Sequence, residues 1–222
     1  MTDLNIPSIG KVKTTKEIVY EEIKNAIFSG SIKNDQILTE TILADSLNTS
    51  RTPVREAVGD LLKEGLLVSI PRKGFRIRQI SPSEKEQIFF LRMSIETEGL
   101  KRLFSRVTKD QIDYLKKSVE LQKEAMLEND RIKFIELDQN FHRKILSFAE
   151  LHLLEDIFLN IYNLTRLIGH QALAKNGRME EVIEEHIKII ESLSIKDSEL
   201  ASESIKTHIN NTRESLSVAE FK

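Results

Sequence analysis

The sequence predicts a mainly α-helical protein: three short helices and a β-hairpin in the first 80 residues, then an antiparallel helical bundle. Three observations carry this. Apolar residues recur at helical spacing from Thr15 to Gly65. Two alternating runs, 66–70 and 75–80, flank Pro71-Arg72-Lys73-Gly74. Beyond Ser81-Pro82-Ser83 the pattern is helical throughout, with no further proline and no period-two strand.

Residues 1–13 read as a loose lead-in. Ile18, Val19, Ile23, Ala26 and Ile27 then place a helix that Gly30 stops. Residues 39–47 make a second short helix with Ile42, Leu43 and Leu47 inward, and Asn48-Thr49 make the turn. Ser50 or Thr52 can cap a third helix, Pro53 suits its first turn, and Val54, Ala57, Val58, Leu61 and Leu62 form its apolar stripe. Three helices followed by a hairpin make a winged helix-turn-helix over residues 10–80. The rest, 83–218, divides into helices at about 83–105, 108–128, 131–149, 151–174, 179–194 and 197–217. That is a six-helix bundle.

The chain has 222 residues, 40% of them hydrophobic and 31% charged, which suits an ordinary globular protein. With no Cys, disulfides, thiolate catalysis and cysteine metal ligands are excluded. No apolar run reaches the length of a membrane span, and the start lacks the apolar core of a signal peptide, so the expected location is cytoplasmic, with no membrane partner. Charge divides unevenly. Residues 1–80 carry 12 Lys+Arg against 10 Asp+Glu, residues 81–222 carry 21 against 25, and 66–80 hold Arg72, Lys73, Arg76 and Arg78 with no acid. A basic run of this kind suits a phosphate backbone, or a strand edge guarded by charge.

The third helix opens on cations, where the positive end of its dipole disfavours them. Arg51 and Arg55 are four apart and share one face. In a helix-turn-helix that end meets base edges in the major groove, where the arginine fork matches guanine O6 and N7. Ser50 and Thr52 can bond phosphates beside the helix N-terminus. The competing reading pairs the arginines with acids such as Glu56 on a wet surface.

The Ser50–Ala57 stretch, Ser-Arg-Thr-Pro-Val-Arg-Glu-Ala, resembles the signature of the GntR family of bacterial transcription regulators, and Gly65-Leu66 resembles the pair preceding its wing. The resemblance implies a dimer on a palindromic double-stranded DNA operator. Arg51 and Arg55 would read bases, and a wing tip of Arg72, Lys73 and Gly74 would approach the minor groove. Where members often carry a DNA-contacting arginine in the second helix, this chain has Thr41.

In the bundle, Asp138 and His142 stand four apart on one helix, with His186 and His208 on the last two helices. One carboxylate and three imidazoles suit Zn²⁺, Ni²⁺ or Mn²⁺, with positions left for water or a ligand. Singly, each histidine reads more readily as a hydrogen-bonded core residue, the reading kept for His152 and His170. Asp138 with His142 alone reads as a helix-stabilising pair. Residues 84–217 resemble the FadR-type FCD effector domain, in its shorter six-helix, VanR-like branch. That resemblance implies a metal held by Asp138, His142, His186 and His208 beside a cavity for a small carboxylate effector. It also implies that Arg92 of an Arg-x3-Glu pair points to the pocket. The alternative for Arg92 is an intrahelical pair with Glu96.

The expectation is a dimeric, ligand-responsive transcription regulator, not an enzyme. A metal-dependent hydrolase is the weaker alternative, because no general base is evident: Glu185 adjoins His186 but reads as pointing off its face. An architectural DNA-binder with an inert bundle is the third reading.

Overall fold

The computed structural model describes residues 13–173 and 176–219, without the side chains of 169–172 and 217–219. Residues 1–12 of the expected lead-in, and the side chain of His170, fall outside the described part. The fold is mainly α, with helix-turn-helix, wing and helical bundle in the predicted order.

Helix α1 (Thr15–Phe28) starts at a capping box in which Thr14 accepts from the Glu17 amide while the Glu17 carboxylate accepts from the Thr14 amide. Helices α2 (Glu40–Ser46) and α3 (Arg51–Lys63) close the turn. Val19, Ile23, Leu43, Val54, Val58, Leu61 and Leu67 form one core. Strands β1 (Leu67–Ile70) and β2 (Gly74–Ile77) pair antiparallel, Leu67 against Ile77 and Ile70 against Gly74.

The hairpin differs from expectation in one respect. The sequence places Gly74 in the turn, but Arg72 takes the positive φ there, at 63°, after Pro71, and the Lys73 amide donates to Ile70 O at 3.0 Å. Gly74 opens β2 instead, at φ 126°, where a Cβ would lie 2.1 Å from Leu38 O. The missing side chain lets the α1–α2 segment bridge to the wing at Leu38 and Phe75.

Helices α4 (Pro82–Phe104), α5 (Lys109–Leu127), α6 (Arg131–Phe148), α7 (His152–Ala172), α8 (Arg178–Ser194) and α9 (Ser198–Ala219) form the bundle. Capping boxes at Ser81/Glu84 and Thr108/Gln111 and the Asp130 cap begin three of them at the predicted breaks. Phe134, Phe141, Ile145, Ile189, Leu193 and Ile205 are central to its core. Helix α7 also touches the N-terminal unit: Asn163 donates to Glu64 at 3.2 Å, and the Arg166 guanidinium lies 4.1 Å above the Phe28 ring. Among the described residues, no helix is long and apolar enough to cross a membrane.

Candidate DNA-binding face and metal centre

Helix α3 buries Val54, Ala57, Val58 and Leu61, which turns Arg51 and Arg55 outward with side chains 60% and 65% exposed. Their partner is Glu40, in the first turn of α2, rather than Glu56. Arg55 Nε donates to Glu40 at 3.0 Å, Arg55 Nη2 at 3.0 Å, and Arg51 Nη2 at 3.2 Å. The Arg55 hydrogen bond, then that of Arg51, holds the Glu40 carboxyl below its usual range. Ser50 sits at the N-cap position but makes no side-chain cap bond, and Thr52 and Thr41 are exposed. Arg72 and Lys73 project at the wing tip, whereas Gly74 is half-buried against Leu38.

Inside the bundle, α6, α8 and α9 bring Asp138, His142, His186 and His208 together, with one ligand atom from each lying within 4.8 Å of the others. His142 Nε2 and His186 Nε2 are 3.3 Å apart, and Asp138 Oδ1 lies 3.5 Å from His186 Nε2 and 3.8 Å from His142 Nε2. All three rings are essentially excluded from solvent.

Each outward nitrogen faces an acceptor, but only those of His186 and His208 are hydrogen-bonded. His142 Nδ1 makes an ion-pair contact with Glu96 at 2.7 Å, His186 Nδ1 bonds Gln122 Oε1 at 2.8 Å, and His208 Nδ1 bonds Glu185 at 2.7 Å. At His186 and His208 a proton held at Nδ1 leaves Nε2 as the metal-facing lone pair, so these partners fix the tautomer that ligation needs; His142 would have to give up a proton to a bound ion. His208 Nε2 is buried with no hydrogen-bond partner. The donor set therefore fits a divalent cation: three imidazole nitrogens and a carboxylate, converging and preoriented.

The electrostatics divide the three imidazoles. Burial opposes charge on Glu96 and Glu185, yet Arg92 and His142 beside the first, and His208 and Arg178 beside the second, hold both carboxyls down at about 2. Burial pushes His186 and His208 down. His142 goes up to about 9 despite its burial, because Glu96 and Asp138 face it.

Arg92 makes the intrahelical pair with Glu96. Its Nε donates to Glu96 at 2.8 Å, and it also lines a cavity of about 40 Å³ whose wall includes Asp138. Glu185 turns from His186, the one candidate ligand on its own helix, to another, His208 of α9, rather than into solvent. His152 lies apart with a 74% exposed side chain. Sequence reasoning missed Glu40, Gln122 and Arg178. Gln122 acts across helices, so no spacing within one helix signals it, whereas Arg178 pairs with Glu181 and Glu185 of its own helix at i+3 and i+7, a signal the sequence did carry.

An FCD domain matches residues 87–211, and the bacterial regulatory proteins of the gntR family match residues 15–77. The chain is 27% identical over 198 residues to the uncharacterized HTH-type transcriptional regulator YdhC of Bacillus subtilis, covering 89% of this chain and 88% of that one. It is 25% identical over 198 residues to the HTH-type transcriptional repressor RspR of Escherichia coli, covering 89% and 87%. Among solved structures, E. coli McbR/YncC superposes with a TM-score of 0.77 at 19% identity, over 95% of this chain and 100% of that chain, a likeness of fold.

Proposed function

Because the chain belongs to the gntR family of bacterial regulatory proteins and its bundle is an FCD domain, we propose that it is a metal-dependent sensor that binds a palindromic operator as a homodimer. Residues 10–80 bind DNA, and 83–218 hold the effector and the dimer interface, in the six-helix, VanR-like form of the domain. The protein is a transcription regulator rather than an enzyme.

The observation that carries the sensing role is the convergence of three buried imidazoles and a carboxylate, with Nδ1 of His186 and His208 hydrogen-bonded and that of His142 2.7 Å from Glu96. Asp138, His142, His186 and His208 would hold Zn²⁺, Ni²⁺ or Mn²⁺, and the bound ion supplies a Lewis acid for a carboxylate oxygen. Arg92, in the wall of the adjoining cavity, supplies charge-assisted donors to the same small carboxylate. Helix α7 links this site to DNA. Thr165 lines the cavity, while Asn163 and Arg166 touch the winged helix. A shift of α7 on effector binding would change the spacing of the two recognition helices, to which half-sites about one helical turn apart are sensitive.

At the DNA face, Arg51 and Arg55 read bases in the major groove, Ser50 and Thr52 contact phosphates, and Arg72, Lys73 and Gly74 form the approaching wing. The dimer face is apolar: Phe90 on α4 and Leu153 and Ile157 on α7 are 71%, 74% and 44% exposed on two helices that pack together.

Two measurements test this reading. Elemental analysis of protein purified without chelator should find about one divalent ion per chain, lost in His142→Ala; a metal-free protein that still answers its effector would sink the metal role. Arg51→Ala/Arg55→Ala should abolish operator selection while leaving the oligomer intact, and unaltered binding would overturn the groove assignment.

A further inference from the structure

Two buried arginines share the wall of the 40 Å³ cavity, and only Arg92 has a role so far. Arg178, at the first residue of α8, is 1% exposed, as is Arg92. Each is wired to a metal-site histidine through a glutamate. Arg92 Nε donates to Glu96 at 2.8 Å, and the other Glu96 oxygen lies 2.7 Å from His142 Nδ1. Arg178 donates from Nη1 and Nη2 to the two oxygens of Glu185 at 2.8 and 2.9 Å, and His208 Nδ1 bonds Glu185 at 2.7 Å.

Both guanidiniums are incompletely used. Nη2 of Arg92 and Nε of Arg178 are buried with no acceptor. A buried N–H without a partner carries the full cost of its lost water, so an unused donor on each of two cavity-lining arginines leaves both guanidiniums short of an acceptor. Thr212, which accepts from Arg178 Nη2 at 3.0 Å, and Thr165 are polar groups of the same wall.

We propose that Arg178 is a second effector-holding arginine beside Arg92, that the effector is a small monocarboxylate, and that the two Arg–Glu–His chains make effector and metal binding mutually strengthening. This rests on the reading of the cavity as the effector site.

The ligand class follows from charge and room. Glu181 also accepts from Arg178 Nη1 at 3.2 Å, so Asp138, Glu96, Glu185 and Glu181 bring four negative charges against four positive ones from Arg92, Arg178 and a bound dication. A balanced, dry site tolerates one added negative charge better than two, which favours a monoanion over a dianion. A cavity of about 40 Å³ takes the volume of a few water molecules, hence a ligand of a few heavy atoms. The coupling follows from the shared glutamates. A carboxylate that draws hydrogen bonds from a guanidinium leaves more of the glutamate's charge for its histidine, which makes that imidazole a better metal ligand. By linkage, metal must then raise carboxylate affinity by the same factor.

The test is calorimetric titration of Ni²⁺ into the full-length, chelator-stripped protein, alone and with acetate, lactate, pyruvate, succinate or citrate. At least one of the three monocarboxylates should raise the Ni²⁺ affinity of the wild type about tenfold, with succinate and citrate giving no gain. Arg178→Gln should lose that gain, and so should Arg178→Lys, which keeps the charge beside Glu185 and serves if the first variant does not fold. No gain with any monocarboxylate, an equal gain with succinate, or a wild-type gain in the folded Arg178 variants each overturns the inference. Arg92→Gln separates this from the parent reading. If it loses the gain while the Arg178 variants keep it, only the role of Arg178 falls. If both arginines are dispensable to a gain that the wild type shows, the cavity is not the effector site.

Discussion

Arg55 grips Glu40 with two nitrogens, Nε and Nη2, each 3.0 Å from a carboxylate oxygen. One acid of α2 thus orders the arginine expected to read bases from α3, and it takes a further bond from Arg51. The carboxylate also subtracts charge from a face that must meet phosphates. Glu40→Gln should strengthen binding to any duplex and weaken discrimination together. We expect the ratio of operator to scrambled-duplex affinity to fall about tenfold, within the range a bidentate base contact supplies, and the salt dependence to steepen. Fluorescence anisotropy over a salt series measures both; an unchanged ratio would remove Glu40 from readout.

Most of the fold was legible because helix periodicity, caps and turn residues agreed with one another. The helices expected at 83–105 and 108–128 run from Pro82 to Phe104 and from Lys109 to Leu127, within a residue of expectation at each end. What was not legible acts across elements. Nothing in the spacing pairs Gln122 of α5 with His186 of α8, or Glu185 of α8 with His208 of α9. The Gly74 misassignment has the same origin, since the atom it must avoid, Leu38 O, is remote in sequence.

Glu96 should prove essential to metal affinity although it is not a ligand. Its carboxylate lies 2.7 Å from His142 Nδ1, and outer-shell partners of metal-bound histidines typically contribute ten- to hundredfold in affinity. Glu96→Gln should therefore weaken Ni²⁺ or Zn²⁺ binding by roughly that factor in competition with a chromophoric chelator. His152→Ala, at an exposed and distant site, is the control that should change nothing.

Acid should loosen the start of α4 through Glu84. The Ser81 amide, the Arg78 guanidinium and the Ser81 hydroxyl lower its carboxyl from 4.5 to about 2. A folded-state pKa below the unfolded one gives stability that is present above about 4.5 and lost as pH falls toward 2. Glu84→Gln should remove that part of the acid dependence and leave the rest of the profile intact. Acid titrations of both forms by circular dichroism would reveal it; superimposable profiles would show that the cap contributes nothing.

Phe90 should act at the dimer face. Its ring is 71% exposed while its neighbours Ile88, Phe89 and Arg92 are buried, so helix phase sends it outward. Covering such a side chain contributes about 2–3 kcal/mol, and a charge there costs more. Phe90→Glu should raise the dimer dissociation constant at least about thirtyfold, measured by sedimentation, without altering the helical spectrum. A variant that stays dimeric places the interface elsewhere.

Gly99 sets how closely α4 approaches α6, and with it the geometry of the metal centre. A Cβ at this position would lie 2.6 Å from Cδ2 of Leu146, a fully buried side chain. One turn earlier on the same two helices stand Glu96 and His142, whose contact orients the imidazole. Gly99→Ala must therefore either displace Leu146 or push the helices apart. Overpacking of this kind costs about 1–3 kcal/mol, or on the order of 5 °C in a chain of this size. If the helices separate, metal affinity falls as well, because Glu96 leaves His142. Leu146→Val in the same chain makes room for the added methyl and should recover both losses. Calorimetric melting and Ni²⁺ titration of the single and double variants distinguish the two responses. Lost stability with unchanged metal affinity would mean that Leu146 alone gives way and the helix spacing holds.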